Sequence, residues 1–313
     1  MTRAVLFPGQ GSQYVGMGKS LAEVYPVARA VFEEVNDALG QNLSRLMFEG
    51  DEAELRLTEN AQPALMAASM AVVRVLADGG VAISDCASHV AGHSLGEYSA
   101  LCAAGALSLT DAARLLKHRG QAMQRAVPLN EGAMAAILGL EIDVVEEVVK
   151  EAATDGQVCA CANDNAPGQV VISGHMAAVE AAIALAKERG AKRGLLLPVS
   201  APFHCSLMAP AADEMREALK TASIASPVVP VITNITAAPE TDPEALRRLL
   251  VEQVTGRVRW RETVLAFSGL GIDQMVELGA GKVLSGLVKR IDRSIATANI
   301  QDPADLDAFI ATL

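Results

Sequence analysis

The segment Gly92-His93-Ser94-Leu95-Gly96 constrains this chain most, because it lies between a short apolar run, Ser88 to Ala91, and a helix-period segment that begins at Leu95. G-x-S-x-G between a strand and a helix is the pattern of a nucleophile elbow. A serine on so sharp a turn brings the backbone two residues before it close to that two residues after it, where only glycine avoids a clash. Ser94 Oγ is thereby pushed into the open. The Leu95 amide is left at a helix N-terminus, where it can donate to an oxyanion with help from the helix dipole. The competing reading is a helix-capping serine in a Gly-rich turn; the flanking strand and helix favour the catalytic one.

A serine hydroxyl is a weak nucleophile until a base takes its proton, and five histidines are available. His93 adjoins the serine, but consecutive residues at an elbow point to opposite sides, so it is expected to hydrogen-bond structurally beside the substrate. His118 lies next to Arg119 on a predicted helix, and His89 and His175 fall at strand or turn edges. His204 follows Ser200-Ala201-Pro202-Phe203 in a loop at a predicted domain junction, where clefts form. Position alone fits a satisfied interfacial histidine better; the rest of the constellation raises His204 to the candidate base.

Around the elbow the periodicity is that of α/β layering. Arg3 to Phe7 reads as a strand closed by Pro8-Gly9, residues 18–39 as a helix, 62–78 as an apolar helix starting after Gln62-Pro63, and 110–126 as a helix capped at Thr110-Asp111. The rhythm then changes to βαββαβ between Gly132 and Val199, the order of a ferredoxin-like split βαβ unit. Helices are expected again at 208–222, 243–253, 260–270 and 283–291, with strands at 228–234 and 274–278. The expected fold is therefore α/β: an α/β-hydrolase-like large domain with a parallel sheet, residues 1–128 and 200–313, and an inserted ferredoxin-like subdomain, residues 129–199.

Half of the residues are apolar but only 3% are aromatic, so the core must be built from small aliphatic side chains. The charge, 26 − 37 = −11, argues against nucleic acid or anionic lipid as partners. No run of about 18 apolar residues suggests a membrane span, and the apolar stretch before Pro8 is too short for a signal peptide. Five cysteines, odd in number and without C-x-x-C spacing, read as reduced buried thiols of a cytoplasmic protein. The histidines have no ligand spacing with the cysteines, so no metal and no bound cofactor are expected. Oligomeric state is left open, a monomer being compatible.

Seven ordered segments carry a resemblance over nearly the whole chain: FPGQGSQ from Phe7, TENAQP from Thr58, GHSLGEYS from Gly92, HRGQAM around Arg119, NAPGQVVISG from Asn165, PFHC from Pro202 and ELG from Glu277. The chain resembles the malonyl-CoA:acyl-carrier-protein transacylases of fatty acid synthesis and the related acyltransferase domains of polyketide synthases. The resemblance implies that Ser94 carries the acyl group and that His204 is the general base. It implies that the Gln253 main-chain carbonyl orients His204 in place of a carboxylate, and that the Gln10 amide joins that of Leu95 at the oxyanion. Arg119 would pair with the malonyl carboxylate, which a planar guanidinium can hold bidentately. The implied reaction is ping-pong between malonyl-CoA and a holo acyl carrier protein, with CoA and phosphopantetheine as parts of substrates. In the polyketide relatives a bulky Phe before the base accompanies malonyl specificity; here that residue is Phe203, and Leu95 after the nucleophile points the same way. An acidic carrier would need a local cationic patch, for which Lys192-Arg193, Arg257, Arg259, Lys282, Lys289 and Arg290 are candidates.

Three rivals follow from the same residues. A serine esterase or thioesterase would need an acid between serine and histidine in chain order; no loop acid stands out for that role, since candidates such as Asp155 and Asp164 fall inside the inserted unit. A catalytically silent module would only bind carrier proteins, and a free-standing acyltransferase would serve a polyketide assembly line.

Overall fold

The structure, a computed structural model, describes residues 2–128, 130–154, 156–199 and 201–312. Its strands are β1 (Arg3–Phe7), β2 (His89–Gly92), β3 (Gly132–Leu138), β4 (Cys159–Ala166), β5 (Gln169–His175), β6 (Arg193–Leu196), β7 (Val231–Ile232), β8 (Pro239–Glu240), β9 (Gln274–Leu278) and β10 (Ala296–Ile300). Six of them form a sheet in the order β10-β9-β1-β2-β7-β8, parallel except for β8. The other four form a separate antiparallel sheet in the order β4-β5-β3-β6.

Alternation along β1 shows how the large sheet is buried. Val5 and Phe7 enter one hydrophobic cluster, while Ala4 and Leu6 enter another with Ala91, Ile232, Trp260 and Phe267. Both faces are covered, as a parallel sheet requires. The antiparallel sheet has its own core, in which Ala135 and Ile137 of β3 and Ile172 of β5 meet Val145, Val148 and Val179 of the two helices Ile142–Ala152 and Met176–Glu188.

Several boundaries differ from the expected ones for local reasons. The segment 18–39 is two helices, Lys19–Val24 and Pro26–Leu39, because Pro26 lacks an amide to continue the first and suits the first position of the second. The apolar helix starts at Thr58 and runs to Asp78, with Pro63 inside it rather than before it. Helix Leu109–Arg125 is capped by Ser108, whose hydroxyl accepts from the Asp111 amide at 3.0 Å, and not by Thr110. The strand expected at 228–234 is only Val231–Ile232, since Pro230 cannot donate to a ladder. The edge strand β10 and the final helix Pro303–Ile310 were not expected; β10 is half exposed and carries no strong apolar pattern. The boundary residues Leu129 and Ser200 and the candidate acid Asp155 lie outside the described residues. Among the described residues no helix is long and apolar enough to cross a membrane.

Two contacts of this framework position the site. The four-stranded unit is tied to the large sheet's side through residues 257–261: Val258 N donates to Ala162 O at 2.8 Å, Asp164 N donates to Val258 O at 3.0 Å, and Arg257 and Arg261 pair with Glu146 and Asp164. Helices Thr58–Asp78 and Leu109–Arg125 meet at Gly120, where an added Cβ would stand 2.5 Å from Glu59 Cα. That close approach sets Arg119 beside Gln62. Gly120→Ala must push the two helices apart and should cost about 1–3 kcal/mol of stability, read by urea denaturation; an unchanged midpoint would mean that the crossing relaxes freely.

Candidate active site

The elbow is held by sterics and by one asparagine. Ser94 has φ 53°, in the left-handed region, and an added Cβ at Gly92 would lie 1.9 Å from Gly96 C, so the turn closes only with glycine at that position. Asn234, fully buried just after β7, donates from Nδ2 to Gly92 O at 2.7 Å and accepts from the Ser94 amide at 2.7 Å. It thus ties both sides of the elbow to the neighbouring strand.

Ser94 Oγ lies 2.8 Å from His204 Nε2. His204 Nδ1 is within hydrogen-bond distance of two main-chain carbonyls, Gln253 O at 2.9 Å and Gly256 O at 3.1 Å. Carbonyl oxygens only accept, so the proton sits on Nδ1 and Nε2 offers its lone pair to the serine. His204 is 4% exposed and itself has φ 58°. Burial, and then the nearby Arg119 charge, push its pKa down to about 3. The imidazole is therefore neutral, and able to act as a base, over the whole physiological range. Asp164, an acid weighed for a hydrolase triad, is instead paired with Arg261.

Arg119 is 1% exposed, and among the described residues no carboxylate touches its guanidinium. Its Nη1 donates to Gln62 Oε1 at 2.8 Å, and its Nη2 donates to Gln253 Oε1 at 2.9 Å and to Ser94 Oγ at 3.2 Å. Tyr98 lies under it, with the guanidinium carbon 5.8 Å from the ring centroid. A buried guanidinium stays protonated, so the serine hydroxyl faces a cation ringed by amides.

The remaining candidates line the same cavity, of about 410 Å³, between the two sheets: Gln10, His93, Leu95 and Phe203 all contribute to its wall. Neither the Gln10 nor the Leu95 amide is engaged by another group among the described residues. The loop bearing Gln10 can come this close because Gly9 has no side chain; a Cβ there would meet His93 O at 2.7 Å. His93 Nε2 is 2.9 Å from Asn165 Oδ1, and its ring packs 5.5 Å from that of Trp260. His89, His118 and His175 take no part in the cavity wall. All five cysteines are buried free thiols, and among the described residues no three His, Cys, Asp or Glu side chains are grouped to hold a metal.

Sequence reasoning missed Gln62, Glu97, Asn234 and the side chain of Gln253. Gln62, Glu97 and Asn165 lay inside segments that had been singled out, yet nothing local indicated their partners. Asn234 carried no signal at all.

The chain matches the acyl transferase domain family over residues 5–301. It is 46% identical over 310 residues to the malonyl CoA-acyl carrier protein transacylase of Bacillus subtilis, covering 99% of this chain and 96% of the relative. The fold superposes on an acyl-carrier-protein S-malonyltransferase from Bartonella henselae with TM-score 0.97 and 54% identity, covering 100% and 99% of the two chains. A malonyl-transacylase solved in complex with its type II polyketide-synthase acyl-carrier protein superposes equally well, with TM-score 0.97, 44% identity and full coverage of both chains. The chain belongs to the malonyl-CoA:acyl-carrier-protein transacylase family. Within that family's fold, the buried guanidinium and the Ser94–His204 pair occupy one cavity.

Two measurements test this geometry. Ser94 reactivity toward a neutral sulfonyl fluoride should hold down to about pH 5 and fall only below it, and Arg119→Met should move that limb upward by removing a cation that holds the imidazole's pKa down. A limb near the ordinary histidine value of 6.5 would contradict a buried base. Asn234→Ala should lose about 2–4 kcal/mol of stability, by thermal or urea unfolding, because it strips the elbow of buried hydrogen bonds.

Proposed function

We propose that this protein moves a malonyl group from malonyl-CoA to the phosphopantetheine thiol of an acyl carrier protein through a malonyl-serine intermediate, supplying extender units for fatty acid synthesis. The observation that carries the reading is the Arg119 cation, in contact with no carboxylate among the described residues and 3.2 Å from the Ser94 hydroxyl. A site that places a buried guanidinium beside its nucleophile favours an acyl group that ends in a carboxylate, and disfavours a neutral one that would leave the cation unpaired.

Ser94 Oγ attacks the thioester carbonyl while its proton passes to His204 Nε2, and the Gln10 and Leu95 amides receive the developing oxyanion. The C–S bond breaks and the CoA thiolate leaves with the proton from His204. The carrier's thiol then gives its proton to His204 and attacks the ester carbonyl, and Ser94 recovers its hydrogen as the malonyl thioester departs. The Gln253 and Gly256 carbonyls hold the imidazole through both halves and balance the positive charge it acquires. Phe203 and Leu95 in the cavity wall crowd the space an α-methyl would need, a discrimination of about 1–3 kcal/mol. The carrier as partner is supported by the relatives' names and by the carrier complex of the malonyl-transacylase. Arg257 and Arg259 are spent on Glu146 and Glu262, which leaves Lys192-Arg193 and the cations near the C-terminus as the better docking candidates.

Finer readings of the architecture belong to the same proposal. The order β4-β5-β3-β6 with two crossover helices supports a ferredoxin-like insert at residues 129–199. The elbow at the end of β2 in a mostly parallel sheet supports a hydrolase-like large domain. The reading needs no resident cofactor and fits a cytoplasmic enzyme.

Intact-protein mass spectrometry tests the function. Malonyl-CoA should add one malonyl mass that is absent in Ser94→Ala and passes to added holo carrier protein. Arg119→Ala should slow malonylation by about a hundredfold while affecting acetylation much less. Loss of the label to water at a rate indifferent to the carrier would mark a hydrolase, and no label at all would mark a binding module.

A further inference from the structure

Glu97 lies one helical step beyond the elbow and is 1% exposed, an expensive place for a carboxylate unless it is hydrogen-bonded. Its Oε2 accepts from the Asn234 amide at 2.9 Å and from Gln253 Nε2 at 2.9 Å, while Oε1 has no partner among the described residues. Gln253 Nε2 also donates to Ser94 O at 3.0 Å. A carboxylate and a carbonyl both accept, so the nitrogen end of the Gln253 amide must face them, and its oxygen end must face away. That oxygen is the one that receives Arg119 Nη2 at 2.9 Å.

The order carboxylate, amide, guanidinium has an electrostatic consequence. A direct Glu97–Arg119 ion pair would neutralise the cation and occupy the donors that an incoming carboxylate needs. With the Gln253 amide between them, Glu97 fixes that amide without occupying the guanidinium's donors, and Nη2 remains turned toward Ser94. The opposite side of the guanidinium is fixed without charge: Gln62 Nε2 donates to Thr58 Oγ1 at 3.0 Å, which turns Gln62 Oε1 to Arg119.

We propose that Glu97 is the positioning residue of the acyl-carboxylate grip, acting through the amide of Gln253 to aim Arg119 at an acyl group on Ser94 and so to set the preference for malonyl over neutral acyl groups. This rests on the transacylase reading and deepens it. Glu97 touches no substrate; it acts by forbidding the Gln253 amide to flip. A flipped amide would present an N–H to the guanidinium and repel it.

The test compares wild type, Glu97→Ala and Glu97→Gln in the first half-reaction, with malonyl-CoA and with acetyl-CoA, at about pH 8, above the value of about 7 to which burial pushes the Glu97 carboxyl. Glutamine can keep an acceptor oxygen for Asn234 N and Gln253 Nε2; alanine cannot. Glu97→Ala should lower the malonyl-to-acetyl ratio of kcat/KM by about tenfold or more, chiefly through KM for malonyl-CoA, and Glu97→Gln should restore most of it. The thermal midpoint of each variant identifies any that fails to fold, and the ratio is read on the folded ones; if alanine does not fold, Glu97→Gln must retain the ratio and Gln253→Met must lose it. Equal loss for both acyl donors, or an unchanged ratio in Glu97→Ala, overturns the proposal. Failure of the wild type itself to form a malonyl adduct on Ser94 would instead overturn the function on which it rests.

Discussion

A cation buried beside a hydroxyl, with no carboxylate in contact among the described residues, is the constraint on which the rest of this site depends. Arg119 is as buried as the core leucines, and a charge so placed is tolerated only if its donors are met and its field is answered. Two glutamine oxygens and the Ser94 hydroxyl meet Nη1 and Nη2, while Nε has no partner among the described residues, and the aromatic face of Tyr98 and the carboxylate of Glu97 answer the field at one remove. Each partner must then be oriented in turn. Thr58 orients Gln62, and Glu97 with Ser94 O orients Gln253. Much of the polar interior around the elbow is thereby committed to holding one guanidinium in place.

The same residues also bind the fold together. Asn234 ties the elbow to the strand beside it and donates its amide to Glu97, while Gln253 gives its main-chain carbonyl to His204 and its side chain to Arg119. A histidine oriented by carbonyls rather than by a carboxylate suits this environment. An aspartate behind His204 would place a second anion within the field of Arg119 and make the imidazole a stronger base. Carbonyl dipoles fix the tautomer without adding net charge.

What could be read from the sequence was what leaves a local trace. The elbow has one, because the steric demand at Gly92 and Gly96 is written within five residues. The βαββαβ rhythm has one, because each element is long enough to show its period. Arg119 has none, being a mid-helix arginine whose burial depends on a crossing with a helix some sixty positions earlier, and only likeness to a family singled it out. Gln253 is a different case: a main-chain carbonyl can come from any residue type, so its link to His204 is invisible in composition, and its side-chain role needed the positions of Glu97 and Arg119 together. The two-residue β7 and the turn holding Asn234 follow from Pro230 and from tertiary hydrogen bonds, neither of which has a period.

The low basicity of His204 bears on why an acyl-serine in this cavity would pass to a thiol rather than to water. A base whose pKa is pushed down to about 3 gives little help to a nucleophile as weakly acidic as water, at about 15.7. A thiol, with a pKa of about 8.5, needs far less help and is the stronger nucleophile once deprotonated. In the reverse sense the protonated imidazole is a strong acid, well matched to returning a proton to a leaving thiolate. Burial of the histidine and the cation beside it thus act together. They weaken the base, a handicap that the Ser94 hydroxyl shares with water and that an attacking thiol feels least, and they strengthen the acid that thiolate departure uses.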